Sequence, residues 1–218
     1  EEDSHFEPED IPISVVYEDD DLLIINKQPG YVVHPTKGHP CRTMANGIMN
    51  YMIKSGKHFK IRFVNRLDMD TSGLLAIAKN SHCQDDIQRQ MYENGVTKKY
   101  VAVVHGIIDE EEGTIDLPVD KEEEDKAKRA VVAGGYPSVT HYKVLERFEK
   151  GYTMVELVLE TGRTHQIRVH MSHIVRGGLY VAHRPAGAPR KVSVLPASGN
   201  RPFSGAGSAV ARRHAGAP

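Results

Sequence analysis

The stretch Phe63-Val-Asn-Arg-Leu-Asp-Met-Asp-Thr-Ser-Gly-Leu-Leu-Ala-Ile-Ala78 decides how the rest of the chain is read. It packs two carboxylates (Asp68, Asp70), a guanidinium (Arg66) and two hydroxyls (Thr71, Ser72) between apolar runs. The approach through Ile61, Phe63 and Val64 and the β-prone exit from Leu74 to Ala78 frame a polar turn, which predicts a loop held rigidly between strands. Loops of that kind display chemistry on a scaffold. In an extended segment Asp68 and Asp70 would point to opposite faces, so they would not share one proton as a carboxylate dyad does. Asp68 follows Arg66 and precedes small polar residues, so a tight turn would present it to a cleft beside a cation. An ionised carboxylate there is available as nucleophile or base. The alternative is that Asp68 caps the turn through a backbone hydrogen bond.

Upstream, residues 1–12 read as a disordered lead-in ending at Pro12. Ile13 to Tyr17 and Leu22 to Asn26 are short apolar runs separated by Glu18-Asp-Asp-Asp21, which predicts two strands around an acidic turn. Lys27-Gln-Pro-Gly30 then makes a turn in which Pro29 fixes φ and Gly30 allows φ > 0. Tyr31 to Pro40 is an extended loop. Thr43 to Ile53 carries Met44, Ile48, Met49 and Met52 at helical spacing, a stripe best explained by core packing.

Downstream, Ser81 to Glu93 has a helical pattern ended by Asn94-Gly95. Tyr100 to Val104 is a strand, Asp109 to Gly113 a turn, and Lys121 to Arg129 an exposed charged loop. Val139 to Glu146 and Tyr152 to Glu160 alternate apolar and polar residues as paired, half-buried strands do. Ile167 to Ile174 fits a strand or a helix. From Val175 the texture turns to Arg, Ala, Gly and Pro without a sustained period, the mark of a poorly structured tail.

The 218 residues are 26% charged and 39% hydrophobic, enough for one sizeable core and without an apolar run long enough to cross a bilayer as a helix. The start is acidic, not Met, and lacks the regions of a secretory signal, so a trimmed chain is expected. Two cysteines, Cys41 and Cys83, build no disulfide framework, and a reducing, cytoplasmic setting is expected. A net charge of -1 hides an asymmetry. All 29 acidic residues lie in the first 160 positions, while nine of the 28 Lys and Arg residues lie after Glu160. Such asymmetry points either to a bound polyanion or to a solvated basic tail.

A second polar cluster, Thr161-Gly-Arg-Thr-His-Gln-Ile-Arg-Val-His170, holds two arginines, two histidines and an amide. Strand alternation would put Arg163, His165 and Ile167 on one face and Thr164, Gln166 and Arg168 on the other. His165, His170 and His173 lack the i, i+4 pair plus Glu of the metalloprotease motif, and no metal is expected. There is no phosphate-binding glycine loop, no GxSxG elbow and no Cys–His pairing, so cofactor-dependent chemistry is not expected.

Taken together, the two clusters resemble a known family. Asn65-Arg-Leu-Asp68-Met-Asp-Thr-Ser-Gly-Leu-Leu75 resembles the catalytic motif of the RluA-type RNA pseudouridine synthases. Lys98-Lys-Tyr100-Val-Ala-Val-Val-His-Gly106 resembles the family's second motif, and Leu159-Glu-Thr-Gly-Arg-Thr-His-Gln-Ile-Arg168-Val-His170 its third. Val16 to Gly30 resembles its N-terminal strands. The likeness runs from about Ile13 to Ile174. It implies an α+β fold with a mixed, largely antiparallel sheet, flanking helices and an active-site cleft. It also implies a cofactor-free isomerase, in which uracil leaves C1′ of its ribose, turns and rejoins through C5. By this resemblance Asp68 is the catalytic carboxylate, Tyr100 stacks on the uracil, and Arg168 pairs with Asp68. Arg66 fills the space of the flipped nucleotide, and Asn65, Arg163, His165 and Gln166 contact RNA. The implied partner is structured RNA, ribosomal or transfer, with no metal and no membrane, met by a monomer.

Two departures stand out. Asn65 occupies a position where the family commonly has His, and residues 175–218 match none of the Gly-His-Pro turn and core strands that the family places there. The expected organisation is therefore a lead-in (1–12), a C-terminally incomplete catalytic domain (13–174) and a basic tail (175–218) from a shifted reading frame or a foreign source. An inactive or RNA-binding fragment of such an enzyme is the alternative function. A hydrolase using Asp68 and Asp70 is a third reading.

Overall fold

The computed structural model describes residues 6–93, 95–123, 125, 128–175 and 194–195. The chain divides into two compact units, residues 1–97 with 193–196, and residues 98–192 with 197–218. The tail expected from Val175 onward lies outside the described residues, apart from Val175 itself and a two-residue strand at Val194–Leu195.

In the first unit the acidic turn joins β1 (Ser14–Glu18) to β2 (Leu22–Lys27), and the central loop is delivered between β3 (Arg62–Phe63) and β4 (Gly73–Ala78). These strands form an antiparallel sheet in the order β1-β2-β4-β3. Its inner face follows from two-residue periodicity: Leu23, Ile25 and Lys27 of β2 and Leu75 and Ile77 of β4 are buried. Against them lies α1 (Met44–Ser55), with Met44, Ile48 and Met52 turned inward one helical turn apart. The helix begins where Thr43 accepts from the Asn46 backbone and Asn46 Oδ1 accepts from Thr43 N at 3.0 Å, a capping box. It ends at Gly56, whose φ of 63° suits glycine. A second helix, α2 (Ser81–Tyr92), starts at Asn80, whose side chain accepts from Cys83 N. Of its expected terminator at 94 and 95, position 94 lies outside the described residues, and Gly95 N donates to Gln90 O at 2.7 Å.

The lead-in expected over residues 1–12 is instead docked from Phe6 onward. Phe6 packs against the core, Ile11 is buried, Glu9 N donates to Asn46 O, and Asn46 Nδ2 donates to Glu7 O. The position of Gly47 explains the fit: a Cβ there would meet Ile11 Cβ at 2.9 Å, so the bare helix surface is the seat for Ile11. At the end of β1, Glu18 binds Lys57, Tyr51 and Lys79. Burial works to raise its pKa, but those three bonds together hold it down at about 2.

The second unit is built on β5 (Lys98–His105), β6 (Glu112–Asp116), β7 (Val119–Lys121), β8 (Arg129–Val131), β9 (Val139–Phe148), β10 (Tyr152–Leu159) and α3 (Gln166–Ile174). Strand β10 lies between β5 and β9, antiparallel to both, with β6 beyond β9. Thr153, Val155, Leu157 and Leu159 are its buried alternates. The ladders just named are all antiparallel, in keeping with the largely antiparallel sheet expected. The charged stretch 121–129 is not a plain loop, because its two ends pair as the ribbon β7–β8.

The strand-or-helix ambiguity after Thr161 resolves to helix α3, so the expected alternation of residues 163–168 does not hold. Gln166 decides it. Its Oε1 accepts from Thr161 Oγ1 and from Arg163 N, both at 2.9 Å, closing a turn that a strand could not make. His165 enters the helix at φ 58°, a left-handed position unusual for a residue with a Cβ.

Candidate active site

The loop from Asn65 to Gly73 is fastened at its start, middle and base. At its start Asn65 Nδ2 donates to Leu74 O (3.0 Å) and its Oδ1 accepts from Ala76 N (2.8 Å), so the amide side chain extends the pairing with β4. In the middle Thr71 N donates to Asp68 O at 3.1 Å, closing a turn over Met69 and Asp70. The backbone between the two carboxylates is thus a turn, as the polar stretch between apolar runs suggested, and the opposite-face geometry of an extended segment does not apply to the pair. At the base Gly30 N donates to Met69 O at 2.8 Å from a φ of 90°.

The strongest fastening is a residue that the sequence reading left in a turn. Lys27 is fully buried, and its ammonium donates to the carbonyls of Thr71 (2.8 Å), Met69 (3.0 Å), Gln28 (3.0 Å) and Asp68 (3.2 Å). Burial lowers its pKa to about 8, opposed by the carboxylates of Asp70 and Asp68. An isolated ammonium in such a place would be far costlier; the carbonyl cradle and the two negative charges are what keep it ionised at neutral pH. A signal existed in the sequence, since Lys27 continues the inward alternation Leu23, Ile25 of β2. With its backbone held in this way the loop leaves Arg66 exposed and Asp68 and Asp70 partly exposed.

The remaining expected site residues belong to the second unit. Tyr100 is half-buried on β5, in register with Leu157. Arg168 is half-buried in the first turn of α3, and Arg163 and His165 occupy the turn before it. Gln166, expected to contact RNA, is buried with every polar position engaged. Besides the bonds to its Oε1, its Nε2 donates to Val139 O and to Thr140 Oγ1, both at 3.0 Å. Thr140 Oγ1 is also 2.9 Å from His170 Nδ1, and His170 Nε2 is 3.0 Å from Leu117 O. A carbonyl only accepts, so His170 carries its proton on Nε2 and Thr140 donates to Nδ1. Burial lowers the His170 pKa, which keeps the ring neutral and this relay intact. Asn65 and Gln166, both expected to contact RNA, therefore have their amides bound into the framework. Among the described residues no group of three or more His, Cys, Asp or Glu is arranged to hold a metal.

Antiparallel sheets with few helices are a fold that this chain shares with solved pseudouridylate synthase domains. The solved structure titled "Human RNA Pseudouridylate Synthase Domain Containing 1" superposes with a TM-score of 0.67 at 26% identity, covering 84% of this chain and 76% of that one. The family model described as RNA pseudouridylate synthase matches residues 21–173, and the chain belongs to that family. It is 45% identical over 186 residues to "Uncharacterized RNA pseudouridine synthase YlyB" of Bacillus subtilis (strain 168), covering 84% of this chain and 60% of that protein. It is 42% identical over 174 residues to "Ribosomal large subunit pseudouridine synthase D" of Escherichia coli (strain K12), covering 80% of this chain and 53% of that protein. The chain thus spans little more than half the length of these relatives.

Proposed function

We propose that this chain is the catalytic part of an RNA pseudouridine synthase, with Asp68 as catalytic carboxylate and ribosomal RNA as substrate. Family membership supports the reaction class, and the relatives named for the large ribosomal subunit support the substrate. The observation that carries Asp68 is its mounting: Lys27 fixes the backbone carbonyls of residues 68, 69 and 71 while Asp68 stays partly exposed. Chemistry at a sugar or base rewards a group held in place beforehand. In the reaction the N1–C1′ bond of uridine breaks and a C5–C1′ bond forms; the proton lost from C5 is matched by one gained at N1. The product is an isomer, and the balance calls for no co-substrate. Tyr100, Arg168 and Arg66, in the roles the resemblance implies, and Arg163 and His165 as RNA contacts belong to the same proposal.

The test is pseudouridine mapping on large-subunit ribosomal RNA made without modification, with transfer RNA in parallel. The wild-type chain is expected to form pseudouridine on the ribosomal RNA. Asp68→Asn is expected to lose at least about a thousandfold in rate while RNA affinity holds within about twofold. Joint loss of binding and turnover would overturn the catalytic role of Asp68, and product on transfer RNA alone would overturn the substrate.

A further inference from the structure

Tyr136 combines two properties that seldom coincide. The residue is 59% exposed, yet its backbone is firmly held: Val119 N donates to Tyr136 O at 3.0 Å and Tyr136 N to Val119 O at 3.2 Å. The turn before it is close-packed. A Cβ on Gly135 would lie 3.0 Å from Val132 O and 3.2 Å from Asp120 Cβ, and Gly134 sits at φ 80°. Pro137 follows and fixes its own φ. The ring is therefore a mounted surface, not a loose side chain at a loop tip.

Arg163 lies over this ring, its guanidinium carbon 5.3 Å from the centroid. It too is anchored: Nε donates to Pro137 O at 3.4 Å, and its backbone N to Gln166 Oε1 at 2.9 Å. The cations Lys128 and Arg129 of the same unit face Asp125 and Asp120, whereas Arg163 places its charge on an aromatic face. A fixed aromatic plane beside a guanidinium plane is the pair of surfaces on which unstacked nucleobases lie, with the cation within reach of the phosphate. A peptide or an acidic side chain would use the charge but not the open ring.

We infer that Tyr136 and Arg163 form a stacking platform for one unpaired base of the RNA, with the base on the exposed ring and its phosphate on the guanidinium. This rests on the proposed function and names how that substrate is gripped by the second unit.

The experiment measures affinity of the full chain for a 12-mer of uridine and for the same oligomer with abasic sites. The proteins compared are the wild type, Tyr136→Ala, Tyr136→Phe and Arg163→Ala. Tyr136→Ala is expected to weaken binding of the oligouridine about tenfold. Tyr136→Phe keeps the ring and is expected to stay within about twofold. On the abasic oligomer the Ala variant is expected to match the wild type. Arg163→Ala is expected to lower the slope of binding against salt by about one. The platform is overturned if Tyr136→Ala binds oligouridine as the wild type does, or if its loss is the same without bases. Thermal unfolding of each variant is read alongside, and a base-dependent loss with unchanged melting excludes a folding defect. Pseudouridine formation by the wild type is assayed separately. No product with a base-dependent Tyr136 effect would sink the enzyme reading and leave the platform, while product without that effect would do the reverse.

Discussion

The loop at 65–73 and the segment at 161–170 are the two densest polar stretches, and they are held in opposite ways. Beyond the Asn65 side chain at its start, the loop is fastened through its backbone, by one ammonium reaching the carbonyls of residues 68, 69 and 71 from a strand more than 40 positions earlier. The segment is fastened through its side chains, by the relay Gln166–Thr140–His170 that ends on Leu117 O. Backbone fastening goes with Asp68 and Asp70 being partly exposed. Side-chain fastening binds the polar residues themselves, so Gln166 and His170 are buried. A polar motif can thus be rich in functional groups or in structural ones, depending on which atoms carry the load.

The difference is most sharply broken at Lys27. Lys27→Met leaves four carbonyls without their shared donor, and a loss of about 3 kcal/mol or more in the stability of the first unit is expected. Hydrogen exchange should quicken at the amides of Thr71 and Gly30, which close the loop, while those of α3 hold. Equal quickening in both places would refute the separation. The reciprocal change, Gln166→Leu, removes the acceptor of Arg163 N and of the Thr161 hydroxyl and one of the two donors to Val139 O, with an expected loss of about 2 kcal/mol read by urea unfolding. Its exchange signature should fall on Val169, whose N donates to His165 O, and spare Thr71.

A smaller effect separates the two by pH. Burial lowers His170 below its ordinary 6.5, so the unfolded chain takes up a proton that the folded one resists, and stability is lost as pH falls beneath that value. Lys27, lowered to about 8, releases a proton on folding between about 8 and 10.5, so its contribution grows more favourable as pH rises through that window. Exchange at Val169 should therefore report a weakening between pH 7 and pH 5 that exchange at Thr71 does not share. A parallel change at both amides would show that one linkage governs the whole chain.

Much of the framework was legible. The alternation of Tyr152 to Glu160 became β10, the Met44, Ile48, Met52 spacing became α1, and the turn between apolar runs became the loop itself. The exceptions share a cause. Residues 6–12 lack periodicity because they are seated by a partner surface, the bare face of α1 at Gly47, and not by their own pattern. α3 is short and begins at a left-handed His165, so no cap residue announces it; its start depends on where the Gln166 side chain finds acceptors and donors on Thr161, Arg163 and β9. Asn65 and Gln166 read as RNA contacts because amides at such positions suit either task, and only their partners distinguish the two.

By itself the sequence determined the types and order of most elements and the motif residues that place the chain in its family, because periodicity and turn chemistry act between near neighbours. The tertiary structure alone decided which polar groups are structural. A buried carbonyl or ammonium must find its partner wherever the fold puts one. For Lys27 those partners are the backbone of the loop that bears Asp68, a match between distant segments that neither segment encodes alone.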